Sequence, residues 1–157
     1  MRRMNDELFD FDTVHRLIPH SDKMCLWEAV TAFDDDSVQC RTTRHLDPDH
    51  PLKRDGRLSK LHLIEFGAQT IAIHGGLKAQ AEAENTASPS SKTPRPGYLA
   101  SVKNITFGDF DPQTAVLTGQ ATQLMADDAS KLYQFELQDQ NGQTVCSGRA
   151  LVIHPED

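Results

Sequence analysis

The stretch from Leu58 to Leu77, LSKLHLIEFGAQTIAIHGGL, constrains this chain more than any other. Leu58, Leu61, Ile64, Ala68, Ile71 and Ala72 recur at helical spacing and predict a single long helix with an apolar stripe. Gly67, Ala68, Ala72, Gly75 and Gly76 are small, which lets such a helix lie close against a sheet. Glu65 sits mid-stretch beside the stripe, where an unpaired carboxylate is costly once desolvated. Gln69 lies one turn further on and is placed to hold it, since residues four apart are neighbours on a helix. His50 stands fifteen positions ahead of Glu65, in the loop that leads into the helix. An apolar helix that carries one acid and is entered past a histidine is what a functional reading has to explain.

The flanking segments supply a sheet. A short helix is expected over Asp12 to Leu17, ended by Pro19, because proline disfavours helical backbone at the residue before it. Met24 to Phe33 reads as a strand. The acidic turn Asp34-Asp35-Asp36 leads into a second strand, Ser37 to Arg44, with Val38, Cys40 and Thr42 on one face. The loop HLDPDHPLKRDG precedes the helix. From Gln80 to Pro96 there is almost nothing to bury, and a flexible surface excursion is expected rather than a domain boundary. Strands follow at Tyr98 to Phe107 and at Ala115 to Met125, the latter with Ala115, Leu117, Ala121 and Met125 on one side. Leu132 to Leu137 and Thr144 to Ile153 flank Asn141-Gly142, a strong hairpin signal. The order predicts an α+β domain spanning residues 1–157, in which a curved antiparallel sheet wraps one long central helix. That is the hotdog architecture, although the pattern by itself also admits other α+β sandwiches.

The chain's 157 residues suit one domain with a proper core. Lys and Arg number 16 against 23 Asp and Glu, with no basic tail, which argues against a nucleic-acid partner. Cys25, Cys40 and Cys146 lie far apart with no CxxC pair, a pattern suited to a reducing cytoplasm. The N-terminal MRRMNDELFDFD has no apolar core of a signal peptide, and no apolar run is long enough to span a membrane.

Leu17-Ile18-Pro19-His20 before MCLWEAV, His50 in a proline-containing loop, and Leu63-Ile64-Glu65-Phe66-Gly67-Ala68-Gln69 on the helix resemble the hotdog 3-hydroxyacyl-carrier-protein dehydratases of the FabA/FabZ type. HPLKRDGRL, IEFGAQTIAIHGGL and PGYLASVKNI are more similar to the ApeP-like dehydratases of bacterial aryl polyene clusters. The resemblance covers nearly the whole chain. It implies dehydration of a 3-hydroxyacyl thioester to the trans-2-enoyl thioester, in aryl polyene or fatty-acid-like biosynthesis. It implies His50 and Glu65 as catalytic residues and Gln69 in support. No cofactor is implied beyond the phosphopantetheine arm of acyl carrier protein, which carries the substrate. The chain departs from the usual loop HFPGxPxxPG: it has His50-Pro51-Leu52, a lone Gly56, and Lys60 where a glycine stands near the helix start. In the resembling enzymes backbone N–H groups at that start bind the thioester oxygen.

Such a dehydration needs a base for the C2 proton, an acid for the C3 hydroxyl and donors for the enolate-like oxygen. A largely neutral imidazole suits the base, and a carboxyl in apolar surroundings suits the acid. Other readings stay open on these residues. Glu65 also suits a buried carboxylate paired with arginine, and His50 a solvated loop histidine. His45 competes with His50, and the run from His45 to His50 contains metal-type ligands. Nothing else in the chain adds a strong ligand motif, so no metal is expected. His62 and His74 read as structural or partly exposed, and the cysteines as small core residues.

Lys53, Arg54, Arg57 and Lys60 gather at the helix entrance of an otherwise acidic chain. They suit contact with an acidic carrier protein or its phosphopantetheine arm, and equally suit an ordinary solvated charge run. A lone unit of this kind leaves a sheet edge and part of its helix uncovered, so a homodimer or a heterodimer with a related dehydratase subunit is expected. A catalytically weak subunit that binds carrier protein, and an acyl thioesterase, are the rival functions.

Overall fold

A computed structural model describes residues 7–17, 25–85 and 97–154. Helix α1 (Phe11–Leu17) is followed by strands β1 (Ala29–Phe33) and β2 (Ser37–Thr42), the long helix α2 (Leu63–Asn85), and strands β3 (Tyr98–Phe107), β4 (Leu117–Ala126), β5 (Ser130–Gln138) and β6 (Thr144–Ile153). All six strands pair antiparallel in the order β1-β2-β4-β5-β6-β3. One helix laid against this sheet is the hotdog fold, as the sequence predicts. Pro19, His20, Met24 and residues 86–96 lie outside the described residues.

The helix meets the sheet at Gly67. A Cβ added there would come within 2.4 Å of the Phe135 ring on β5. Gly119 on β4 admits the indole of Trp27 in the same way, at 2.6 Å. Residues 25–28 run into β1 and are sewn to α2. The Trp27 indole N–H donates to the Phe66 carbonyl at 2.9 Å, and the Leu26 N–H donates to Gln69 Oε1 at 2.9 Å. The sequence-expected strand therefore begins as ladder only at Ala29, because polar groups ahead of it bond to the helix. At the middle of α2, His74 donates from Nε2 to the Asp34 carbonyl at 3.1 Å and accepts from the Tyr133 hydroxyl at 2.7 Å.

Four expectations need correction. The helix starts at Leu63, after a 3-10 turn at Lys60–His62, and runs on to Asn85, so Gln80 to Asn85 are helical rather than part of a surface excursion. Its core face is Leu63, Phe66, Gly67, Thr70, Ile73, His74 and Leu77, whereas Leu61 is 69% exposed and Ala72 is exposed. Thr70 and His74 count as polar in the sequence yet are buried with their bonds satisfied, which rotates the true face away from the apparent stripe. The second strand stops at Thr42, and Arg44–Leu46 turn into a 3-10 helix. Met125 leaves the core side because a bulge between Gln123 and Met125 shifts the β4 register; Ala115 lies before the strand and is exposed.

The two sheet edges differ. Phe9 bridges to Val30 and guards β1, while β3 pairs with β6 alone among the described residues.

Glycine to alanine in a helix interior ordinarily stabilises by about 1 kcal/mol. At Gly67 the fully buried Phe135 ring should reverse that sign, and Gly67→Ala should destabilise by about 1–3 kcal/mol, read as a lower urea midpoint. Adding Phe135→Leu should cost less than the sum of the two single changes; strict additivity would mean that this contact does not set the helix–sheet distance.

Candidate active site

His50 is placed by two turns. Its N–H donates to the Asp47 carbonyl at 3.1 Å, and its own carbonyl accepts from the Lys53 N–H at 3.1 Å. Pro51, at the second position of the turn His50-Pro51-Leu52-Lys53, has the fixed φ that such turns favour. The turn carries the Leu52 N–H back to the ring, where it donates to His50 Nδ1 at 3.2 Å. The ring stacks on Phe66 with centroids 5.8 Å apart and planes 15° apart. The residue is only 6% exposed, and Nε2 is buried without a hydrogen-bond partner. Burial first, then Lys53 and Arg44 nearby, lowers the His50 pKa to about 4, so the ring is neutral near pH 7.

Glu65 is half-buried on α2, one residue before the Phe66 that carries the His50 ring. It shares the outward side of the helix with Ala68 and Ala72. Among the described residues no hydrogen bond or ion pair joins His50 to Glu65. Gln69 is buried and its Oε1 takes the Leu26 N–H, so its carbonyl end anchors the segment that enters β1.

His45 is separated from His50 by its environment. It is wholly buried, and its Nε2–H donates to the Thr114 carbonyl. His62 caps the helix: its Nδ1 accepts from the Ser59 N–H at 3.1 Å while Ser59 Oγ accepts from the Leu61 N–H at 3.2 Å. The His62 N–H donates to the Ser59 carbonyl at 3.1 Å. The N–H groups of Leu61 and His62 at the helix entrance are therefore already used. No group of three or more His, Cys, Asp or Glu among the described residues is arranged to hold a metal. Cys25, Cys40 and Cys146 are buried and joined in no disulfide.

Arg54, Arg57 and Lys60 are exposed and Lys53 is half-buried at this entrance. Arg54 and Arg57 exchange both backbone hydrogen bonds at 2.9 Å across Asp55-Gly56, whose φ values are +52° and +74°. The pair Asp-Gly is a sequence signal for this tight reversal, of the same kind as Asn141-Gly142. Phe66 and Leu52, which contact the His50 ring, carry no mark of that role in their residue type.

Burial also lowers the pKa of His45 and His74. A histidine kept neutral by the fold adds no penalty at high pH and weakens the fold as pH drops below its unfolded value near 6.5. Depressed carboxylates such as Asp34 and Glu136 lose their contribution only lower, beneath the ordinary carboxylate range. The urea midpoint should thus fall in two stages on acidification. The first should set in below about pH 6.5 and shrink in His74→Gln. A midpoint flat from pH 7 to 5 would contradict this account of the histidines.

A family model described as ApeP-like, ApeP dehydratase, matches residues 12–157. Among curated protein sequences none matches the chain. Of the solved structures, the dehydratase heterocomplex ApeI:P from Xenorhabdus doucetiae is similar with 25% identity and a TM-score of 0.68, over 92% of this chain and 91% of that one. AziG of S. sahachiroi has 15% identity and a TM-score of 0.60, over 90% and 100%. A thioesterase from Haemophilus influenzae has 13% identity and a TM-score of 0.60, over 94% and 92%. These last two likenesses speak for the fold alone. No helix among the described residues is long and apolar enough to cross a membrane. With the family model spanning all but the first residues, and with an entrance histidine and a helix glutamate on a hotdog scaffold, the chain belongs to the ApeP-like dehydratase family.

Proposed function

We propose that this protein removes water from a 3-hydroxyacyl thioester carried on an acyl carrier protein, giving the trans-2-enoyl thioester, in aryl polyene or fatty-acid-like biosynthesis. The observation that carries the reading is His50: a desolvated, neutral imidazole with an unpartnered Nε2, packed on the helix residue next to Glu65. Such a ring is idle in a purely structural role, where buried polar groups find partners. The family match supports dehydration. The substrate brings its own phosphopantetheine arm, so the reaction calls for no resident cofactor. The four entrance cations, free of ion pairs among the described residues, suit an acidic carrier protein or the phosphate of that arm. Three cysteines joined in no disulfide suit a reducing cytoplasm.

One observation favours a second reading, a weak subunit that works beside an active dehydratase. Two N–H groups at the helix entrance, those of Leu61 and His62, are taken by Ser59 and are not offered to a thioester oxygen. Incubating the purified protein with a 3-hydroxyoctanoyl carrier protein separates the readings by mass. Loss of water is the expected outcome, loss of the acyl group would mean a thioesterase, and no change a binding subunit.

Within the dehydratase reading, Glu65→Gln keeps the shape and removes proton transfer. It should stay folded and lose about 10²–10⁴-fold in rate, roughly 3–5 kcal/mol. His50→Ala should lose a similar factor, and the double variant far less than the product. His45→Ala should instead lower stability, through a lost hydrogen bond and a cavity, with turnover of the folded fraction little changed. A parent-like rate for Glu65→Gln would remove the glutamate from the reaction.

The open β3 edge, with Tyr98 and Leu99 59% and 46% exposed, suits edge-to-edge pairing with a second copy or a related dehydratase subunit. In that dimer His50 of one chain would face the partner's glutamate. Sedimentation at micromolar concentration should give at least twice the chain's 17.5 kDa, alone or mixed with such a subunit; a monomer in both would count against it.

A further inference from the structure

The orientation of the His50 ring assigns it a different part from the one its residue type suggests. Nδ1 accepts a hydrogen bond from the Leu52 N–H, so Nδ1 carries a lone pair and not a proton. A neutral ring in that state has its proton on Nε2. Nε2 is then an N–H donor with no lone pair to offer, and a base at that position is excluded. The usual loop places proline two residues after the histidine, where no N–H exists; here that place is Leu52, and the proline stands one residue earlier.

Resting on the dehydratase reading, we propose that His50 acts as a neutral hydrogen-bond donor to the thioester oxygen, and that Glu65 alone moves the proton. Three observations meet in this assignment. The Nε2–H is buried without an acceptor, a state that a native structure tolerates where function requires it. Two donors at the helix entrance are occupied, the Leu61 N–H by Ser59 Oγ and the His62 N–H by the Ser59 carbonyl. The ring is clamped face-on against Phe66, so its donor direction is set before substrate arrives. Burial together with the nearby Lys53 and Arg44 disfavours the imidazolium, which keeps the ring in this form across the neutral range.

The step balances with one carboxylate. Glu65 takes the C2 proton, and the electron pair of that bond moves toward the thioester, whose oxygen gains charge against the His50 Nε2–H. The pair then forms the C2–C3 double bond as the C3–O bond breaks. Glu65 returns the proton to the departing oxygen, water leaves, and His50 ends as it began.

The test pairs two substitutions with one spectrum. In His50→Gln the side-chain amide keeps a donor near the place of Nε2 and has no base; in His50→Ala both are gone. With 3-hydroxyoctanoyl carrier protein, His50→Ala should lose about 10²–10³-fold and His50→Gln should stay within about 10-fold of the parent. Glu65→Gln should also stop exchange of the C2 protons of octanoyl carrier protein in D₂O, read by mass, while His50→Gln still exchanges. Equal loss in both His50 variants, with exchange surviving in Glu65→Gln, would make His50 the base and overturn the assignment. The ¹⁵N resonances of the His50 ring in the parent protein decide the same point without any turnover: protonated Nε2 is expected, and protonated Nδ1 overturns it. A parent that removes no water from any 3-hydroxyacyl carrier protein would instead sink the dehydratase reading, while the spectrum still judges the ring.

Discussion

The Phe135 ring lies on the bare Cα of Gly67, and this one approach sets how closely the helix seats in the sheet. The remaining anchors follow from that distance. Only a helix this close brings the Phe66 carbonyl to the Trp27 indole and Gln69 to the Leu26 N–H. Those bonds hold the run into β1, and the same turn of helix presents Phe66 to the His50 ring. A shift of the helix outward would loosen the core and turn the His50 ring at once, since interiors packed to this density transmit displacement rather than absorb it.

Much of the architecture was legible in the sequence. β3 and β6 run over the residues that alternation and turn signals marked, and the helix stands where small and apolar residues concentrate. The helix face was not legible, because α2 is apolar or small on two sides. Residue type alone prefers Leu61 and Ala72 to Thr70 and His74, yet the latter are buried once Gly67 and Tyr133 satisfy them. The β4 bulge that turns Met125 outward leaves no mark in a period-two pattern. At the site, residue type and spacing single out His50 and Glu65 as candidates, and no hydrogen bond or ion pair joins the two among the described residues. The direction of the imidazole was hidden, because it depends on a turn built by Pro51 and on one backbone N–H.

Part of the chain's acidity is the chemistry of its turns. Asp10, Asp34, Asp111, Asp127 and Asp139 each accept backbone N–H groups of their own turn or helix start.

The reversal at Asp55-Gly56 sets Arg54 and Arg57 directly opposite one another as backbone partners, both exposed. Like charges so opposed weaken a hairpin. Here the repulsion is built into a two-residue turn that is too short to let the stems drift apart. Mobile anions relieve it, so the entrance to α2 tightens as ionic strength rises, in the opposite sense to the Arg41–Glu7 ion pair, which the same salt loosens.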